Sequence, residues 1–268
     1  MSEQKYFALN EKEENELKRL KLLEELYDPV TIRHLETIQV SEGWKCLEVG
    51  GGAGSMAKWL SECVGLSGEV AATDVDVRFL RLMDMPNLEI RQHDITKDEL
   101  DAAHYDLVHS RCLLEHLPGY EKALKRMAEA VCPGGWLVIE DLDQGALASV
   151  SLADPSATLF GAILQAGRDF LQKSKNLDPF FGRKVRGLIE QLGFIDVGQE
   201  GYTYIVRGGD PSQRWSVATY QIMARSMVTA GVFSQEQADS FFRQLLDPTF
   251  YYPGSTLYAA WGRRPVDA

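Results

Sequence analysis

The chain has 268 residues, 45% of them hydrophobic and 25% charged, a composition that supports a sizeable core and argues against disorder. Its formal net charge of −11 works against nucleic acid or an anionic membrane surface as partner, and no basic patch interrupts the acidic balance. No window approaches about 18 uninterrupted apolar residues, and the start MSEQKYFALN has no charged-then-apolar leader, so a cytoplasmic protein without membrane insertion is expected.

In chain order, Leu17, Leu20, Leu23, Leu26 and Tyr27 recur at helical spacing with charges of both signs between them, predicting a helix that Asp28-Pro29 ends. From residue 45 short apolar runs alternate with amphipathic ones. KCLEVG reads as a strand, Met56, Trp59, Leu60, Cys63 and Val64 share one helical face, and GEVAATD reads as the next strand. NLEIRQHD, YDLVHSR and GWLVIEDLD follow as strands, with a helix around YEKALKRMAEAV before the last. Strands alternating with helices predict a doubly wound α/β fold whose parallel sheet is covered on both faces and binds ligands beyond the carboxyl ends of its strands. After Asp143 the alternation loosens. Helical stretches are expected up to about residue 192, around Trp215 to Val228 and from Gln235 to Leu246, before a final strand STLYAAWGRR. The additions at about 144–182 and 207–250 are expected to cap one domain, residues 41–268, behind a helical lid over residues 1–40.

The chemistry gathers at CLEVGGGAGS. Gly50, Gly52 and Gly54 let the backbone bend sharply and approach a ligand closely. A P-loop needs Lys-Ser or Lys-Thr after its last glycine, whereas Gly54 precedes Ser55-Met56-Ala57-Lys58. A nicotinamide or flavin loop prefers G-x-G-x-x-G, and the spacing here is G-x-G-x-G, which weakens that alternative without removing it. Three acids complete the pattern: Glu48 before the glycines, Asp74 at the end of the second strand and Asp94 after the third. At successive strand ends they suit a cofactor with an amine, a ribose diol and an adenine amino group, each acid accepting hydrogen bonds from one of them.

At these residues the chain resembles the class I S-adenosylmethionine-dependent methyltransferases. LEVGGGAG is similar to their first motif, AATD to their ribose-binding acid and HDI to their adenine-contacting segment. YDLVHSRCLLEHLPGYEKALKRMAEAVCPGGWLVIED resembles later motifs of the small-molecule branch related to quinone-biosynthesis and natural-product enzymes. The resemblance is close over residues 45–143. It implies a seven-stranded Rossmann-like sheet, S-adenosylmethionine as cofactor and S-adenosylhomocysteine as product. The cofactor site would be lined by Glu48, Gly50, Gly52, Gly54, Asp74, Asp94, Ile95 and Arg111, with Val75 packed on the adenine. It further implies an N-terminal lid in which Tyr6 covers the cofactor and Arg19 pairs with its carboxylate.

Methyl transfer from a sulfonium is an in-line displacement that depends on alignment and, for some acceptors, a base. Candidates at the strand ends are His109, His116 and Asp141, with Glu140 and Asp143 nearby; His34, His93 and His104 have no chemical context. His109, Glu115 and His116 lack a helical i, i+4 ligand arrangement, and Cys46, Cys63, Cys112 and Cys132 form no CxxC pair, so no metal is expected. The additions contain Phe160, Phe170, Phe180, Phe181, Trp215, Tyr220, Met223, Met227 and Phe233, followed by Tyr251 and Tyr252, some of which could wall a pocket for an apolar acceptor. The expected partner is therefore a small molecule, met by a monomer or homodimer. The alternatives are a protein that binds S-adenosylmethionine without transferring its methyl group, such as a cyclase or regulatory subunit, and an NAD-dependent oxidoreductase.

Overall fold

The computed structural model describes residues 13–147, 155–174 and 177–266. Seven strands form one mixed sheet: β1 (Lys45–Val49), β2 (Glu69–Asp74), β3 (Leu88–Gln92), β4 (Tyr105–Arg111), β5 (Val131–Asp143), β6 (Ile195–Arg207) and β7 (Tyr251–Arg263). Their order is β3-β2-β1-β4-β5-β7-β6, with β7 antiparallel. The helices are α1 (Glu13–Thr37), α2 (Ser55–Val64), α3 (Tyr120–Ala130), α4 (Pro155–Ser174), α5 (Val185–Gln191), α6 (Pro211–Thr229) and α7 (Gln235–Leu245). The expected seven-stranded, doubly wound sheet is thus present: β1 to β5 pair in parallel, and the antiparallel β7 lies between β5 and β6.

Two compact units result. Of the described residues, one comprises those up to Leu26 and those within Asp143–Phe180 and Tyr202–Thr256; the other comprises Tyr27–Leu142, Phe181–Gly201 and those from Leu257 to residue 266. In the second unit, period-two alternation along the strands sends neighbours to opposite faces. Leu47, Val108, Leu137 and Ile139 pack with Ala123, Leu124 and Met127 of α3 and Val185 and Ile189 of α5. Cys46, Val70, Leu107 and Val138 face the other way, onto Leu35 of α1, Ile38 just beyond its end, and Leu60 and Val64 of α2. This double cover fixes the register that brings the strand ends together.

The expected helix end at Asp28-Pro29 does not occur: α1 continues through Pro29 to Thr37. An internal proline removes one helical hydrogen bond and crowds the preceding turn. Tertiary contacts beyond it compensate. Tyr27 and Leu35 are completely buried, and Thr31, Arg33 and His34 all hydrogen-bond to side chains of the sheet.

In the first unit, Phe160 of α4 stacks on Phe241 of α7 at 5.5 Å and meets Tyr252 at 4.7 Å between ring centroids. Ser234 caps α7 through a reciprocal pair with Gln237, as a capping box requires.

Candidate active site

The loop after β1 is built on three left-handed glycines, Gly50 (φ 79°), Gly52 (φ 55°) and Gly54 (φ 95°). A side chain at Gly54 would be strained in that conformation, and its Cβ would lie 2.3 Å from the Met83 sulfur. The loop is anchored to β2: the Gly50 and Gly51 N–H groups donate to the Thr73 carbonyl at 2.8 and 3.0 Å. The Gly52 N–H donates to Asp74 Oδ2 at 3.0 Å, and the Asp76 N–H donates to Asp74 Oδ1 at 2.9 Å. Burial pushes the Asp74 carboxyl up, against the downward pull of these backbone donors. Its oxygens retain lone pairs for further donors. Val75 follows, 45% exposed, an apolar surface beside an acid. α2 starts from Gly54 with no side-chain cap and no acid in its first turn, leaving backbone donors at the loop's edge.

Asp74 and Val75 are thus gathered with Gly50, Gly52 and Gly54 around one loop, which Glu48 of β1 precedes by two residues. Asp94 and Ile95 follow β3, where the Asp94 carboxylate accepts from the Thr96 N–H at 3.0 Å and hydroxyl at 2.6 Å and pairs with Lys97 at 2.8 Å. Burial works against ionisation there, but Lys97 and Thr96 outweigh it and hold the carboxyl below its usual value. Ile95 has its side chain in the core, while its carbonyl accepts from Arg126 at 2.9 Å.

Beneath the loop lies a buried polar row. Strand pairing places Glu48 of β1 opposite His109 of β4 and sets His109 beside Val138 of β5, so alternation turns Glu48, His109 and Glu140 to the face covered by α1. His109 Nδ1 contacts Glu48 Oε2 at 2.5 Å, and its Nε2 lies 3.6 Å from Glu140 Oε2. Burial opposes the imidazolium, but the Glu48 and Glu140 carboxylates outweigh it and raise the imidazole pKa to about 9. Glu140 accepts from the Thr31 hydroxyl and meets His34 Nδ1 at 2.7 Å. Burial acts against its charge too, but His109 and His34 overcome it and hold its carboxyl well below the usual range. The row reaches the surface at Glu200, which is 3.6 Å from His34 Nε2 and paired with Arg33.

Arg111, expected at the cofactor, turns toward α1: it donates to Asp28 at 2.7 Å and to Thr31 at 2.9 Å. Asp28 also accepts from Ser55 at the start of α2, at 3.0 Å. Arg111 therefore ties α1 to the sheet and to the helix that follows the glycine loop. Asp141 is fully buried and accepts from the Leu113 and Glu115 N–H groups at 3.0 and 3.4 Å. Its other oxygen has no partner among the described residues, and burial, reinforced by Glu115, pushes its carboxyl well up. His116 stands beside Glu115 at 3.3 Å with a side chain 13% exposed. Of the lid residues, Tyr6 lies outside the described residues. Arg19 makes a bidentate pair with Glu16 on its own helix, at 2.7 and 2.9 Å, and is almost completely buried.

Sequence reasoning missed Asp28, Thr31 and His34. Asp28 was read as a helix end and His34 as lacking context, because their roles arise only when α1 packs across the strands. Among the candidate acceptor residues, Phe160 and Tyr252 fill the first unit's core and Phe181 that of the second. Tyr220, Met223, Met227 and Phe233 instead line a cavity between α4, α6 and α7. Among the described residues, no group of three or more His, Cys, Asp or Glu is placed to hold a metal, and no helix is long and apolar enough to cross a membrane.

The sheet order and the acid-flanked glycine loop define a class I S-adenosylmethionine-dependent methyltransferase fold. The chain belongs to the methyltransferase-domain family, whose model matches residues 9–194. It is 28% identical over 159 residues to methyltransferase str3 of Strobilurus tenacellus, covering 58% of this chain and 54% of that one. Over 111 residues it is 33% identical to the ubiquinone/menaquinone biosynthesis C-methyltransferase UbiE of Laribacter hongkongensis, covering 39% and 46% of the two chains. The matches span about half the length of these curated relatives. The solved YcgJ protein of Bacillus subtilis superimposes with a TM-score of 0.54 at 16% identity, over 86% of this chain and 96% of that one, and so shares the fold.

Proposed function

We propose that this chain transfers the methyl group of S-adenosylmethionine to a small, largely apolar acceptor by in-line displacement. The observation that carries the reading is the left-handed glycine loop after β1, with Asp74 at the end of β2 already bonded to the Gly52 N–H. S-adenosylmethionine supplies the electrophile, a methyl carbon on a cationic sulfur. Glu48 addresses the ammonium group of the methionine portion, and Asp74 accepts from the ribose hydroxyls through its remaining lone pairs. Val75 offers an apolar face to the adenine, Asp94 its amine acceptor, and Gly50, Gly52 and Gly54 permit close backbone approach.

His109 is assigned a positioning role. Completely buried between two carboxylates, which raise its pKa, it orients Glu48. Arg111 is likewise assigned to position α1 and α2. His116 is the candidate that can serve as a base, and Asp141, which accepts from the backbone that leads into His116, is assigned to hold that turn. The acceptor class follows the family's relatives, among them an enzyme of quinone biosynthesis, and the aromatic and methionine content of the helical additions.

The test is release of S-adenosylhomocysteine from S-adenosylmethionine during incubation with a panel of quinols, phenols and apolar natural-product scaffolds. Acceptor-dependent release supports the reading. Tight S-adenosylhomocysteine binding with no release across the panel would favour a protein that binds the cofactor without transferring its methyl group.

A further inference from the structure

The cavity between α4, α6 and α7 is walled by Ile163, Leu164, Leu171, Met223, Met227 and Phe233, and three polar residues break this apolar lining: Gln144, Arg168 and Tyr220. The Arg168 guanidinium has no carboxylate partner among the described residues. Nη2 donates to Gln165 at 2.8 Å, Nη1 reaches the Gln144 and Leu147 carbonyls only at 3.4 Å, and Nε is buried with no partner. Tyr220 packs its ring edge-on against Phe241 at 5.6 Å, and its hydroxyl meets no acceptor among the described residues; Arg168 is the charge it senses. A cation and a phenolic donor without an anion, set in an apolar wall, are costly to leave unmatched. A ligand that brings an oxyanion to them and an apolar body to the wall offsets that cost, and a guanidinium is well shaped for a carboxylate.

We infer that this cavity binds an apolar carboxylate, its ring or branched body against Ile163, Leu164, Met223 and Met227 and its carboxylate on Arg168, with Tyr220 donating a hydrogen bond. The cavity opens to solvent, with about 440 Å³ of free space counted out through its mouth. Two methionines in the wall allow adjustment to different ring shapes. Every group in the lining belongs to the helical unit, and none of the cofactor-binding candidates is among them.

The experiment is calorimetric titration of the full chain with 3-phenylpropanoate, 3-phenylpropanol and 3-phenylpropylamine, which share a body and differ in headgroup. The carboxylate is expected to bind at least about 10-fold more tightly than the alcohol, the factor for a hydrogen bond to a charged group, and the amine more weakly still. Arg168→Gln is expected to erase the preference, and Ala224→Phe, which fills the cavity, to abolish binding of all three. S-adenosylhomocysteine affinity, measured on the same samples, is expected to stay unchanged, so its loss would bear on the methyltransferase reading alone. Equal binding of carboxylate and alcohol by the wild-type protein, a result that needs no variant, overturns the inference. So does absence of carboxylate binding at millimolar concentration, or a preference that survives in folded Arg168→Gln.

Discussion

Replacing Glu140 by glutamine tests the buried row beneath the glycine loop. Glu140 is completely buried, accepts from Thr31 and His34, and faces His109 Nε2 at 3.6 Å. Removing its charge leaves the His109 imidazolium with one carboxylate instead of two, and breaking a buried pair from one side costs about 3 to 5 kcal/mol. The pH dependence gives the sharper signature. The folded-state pKa of His109, about 9, lies above its ordinary 6.5, so its contribution to stability is fully present below pH 6.5 and is lost as pH rises through 9. At about 1.4 kcal/mol per pH unit, that gap bounds the loss at about 3 kcal/mol. Glu140 itself has the opposite sign: held below 4.5, it contributes above that pH and its contribution disappears as the solution is acidified. Urea unfolding at pH 6, 7.5 and 9 is the assay. Wild-type stability should fall across this range, while Glu140→Gln should be less stable at pH 6 with a flatter profile, so that the two curves converge toward pH 9. A wild-type profile that is level between pH 6.5 and 9, or a variant within about 1 kcal/mol of wild type at pH 6, an ordinary value for a minor change, would refute the reasoning.

Three further outcomes are expected. Asp74→Ala should weaken S-adenosylhomocysteine binding by about 1.5 to 3 kcal/mol, the value of a charge-assisted hydrogen bond; unchanged affinity in calorimetry removes Asp74 from the site. Gly54→Val places a β-branched residue at φ 95° with its Cβ 2.3 Å from the Met83 sulfur. It should lower the melting temperature as well as cofactor affinity, and a variant matching wild type in both contradicts the description of the loop. Pro29→Ala restores a backbone donor inside α1, so a gain of up to about 3 kcal/mol in unfolding free energy is expected; a loss would mean that the helix uses the proline's shape.

The fold was legible wherever periodicity and punctuation agreed. KCLEV, EVAATD and YDLVHSR are short runs bounded by turn residues, and they form β1, β2 and β4. Gly193, at φ 82°, closes the segment after α5 as its sequence suggests. The glycine loop with Glu48 and Asp74 was also readable, because a left-handed turn next to acids needs residues that are recognisable one by one. The course of α1 beyond Pro29 was not, since local preference opposes it and only contacts with Glu140, Arg111 and Glu200 favour it. Nor could spacing reveal that His109 lies between two carboxylates. Glu48 and Glu140 are 92 residues apart in sequence and meet it only through strand register. The antiparallel β7 was hidden for a related reason: strand direction is set by the path of the chain around it, which STLYAAWGRR does not encode.

The central claim is that the acid-flanked glycine loop receives S-adenosylmethionine. Parallel calorimetric titrations of the purified chain with S-adenosylmethionine, S-adenosylhomocysteine and NADH test it most directly. Micromolar binding of the first two, with none of NADH, is the predicted result; binding of NADH alone would contradict the claim and make the same glycines a dinucleotide loop.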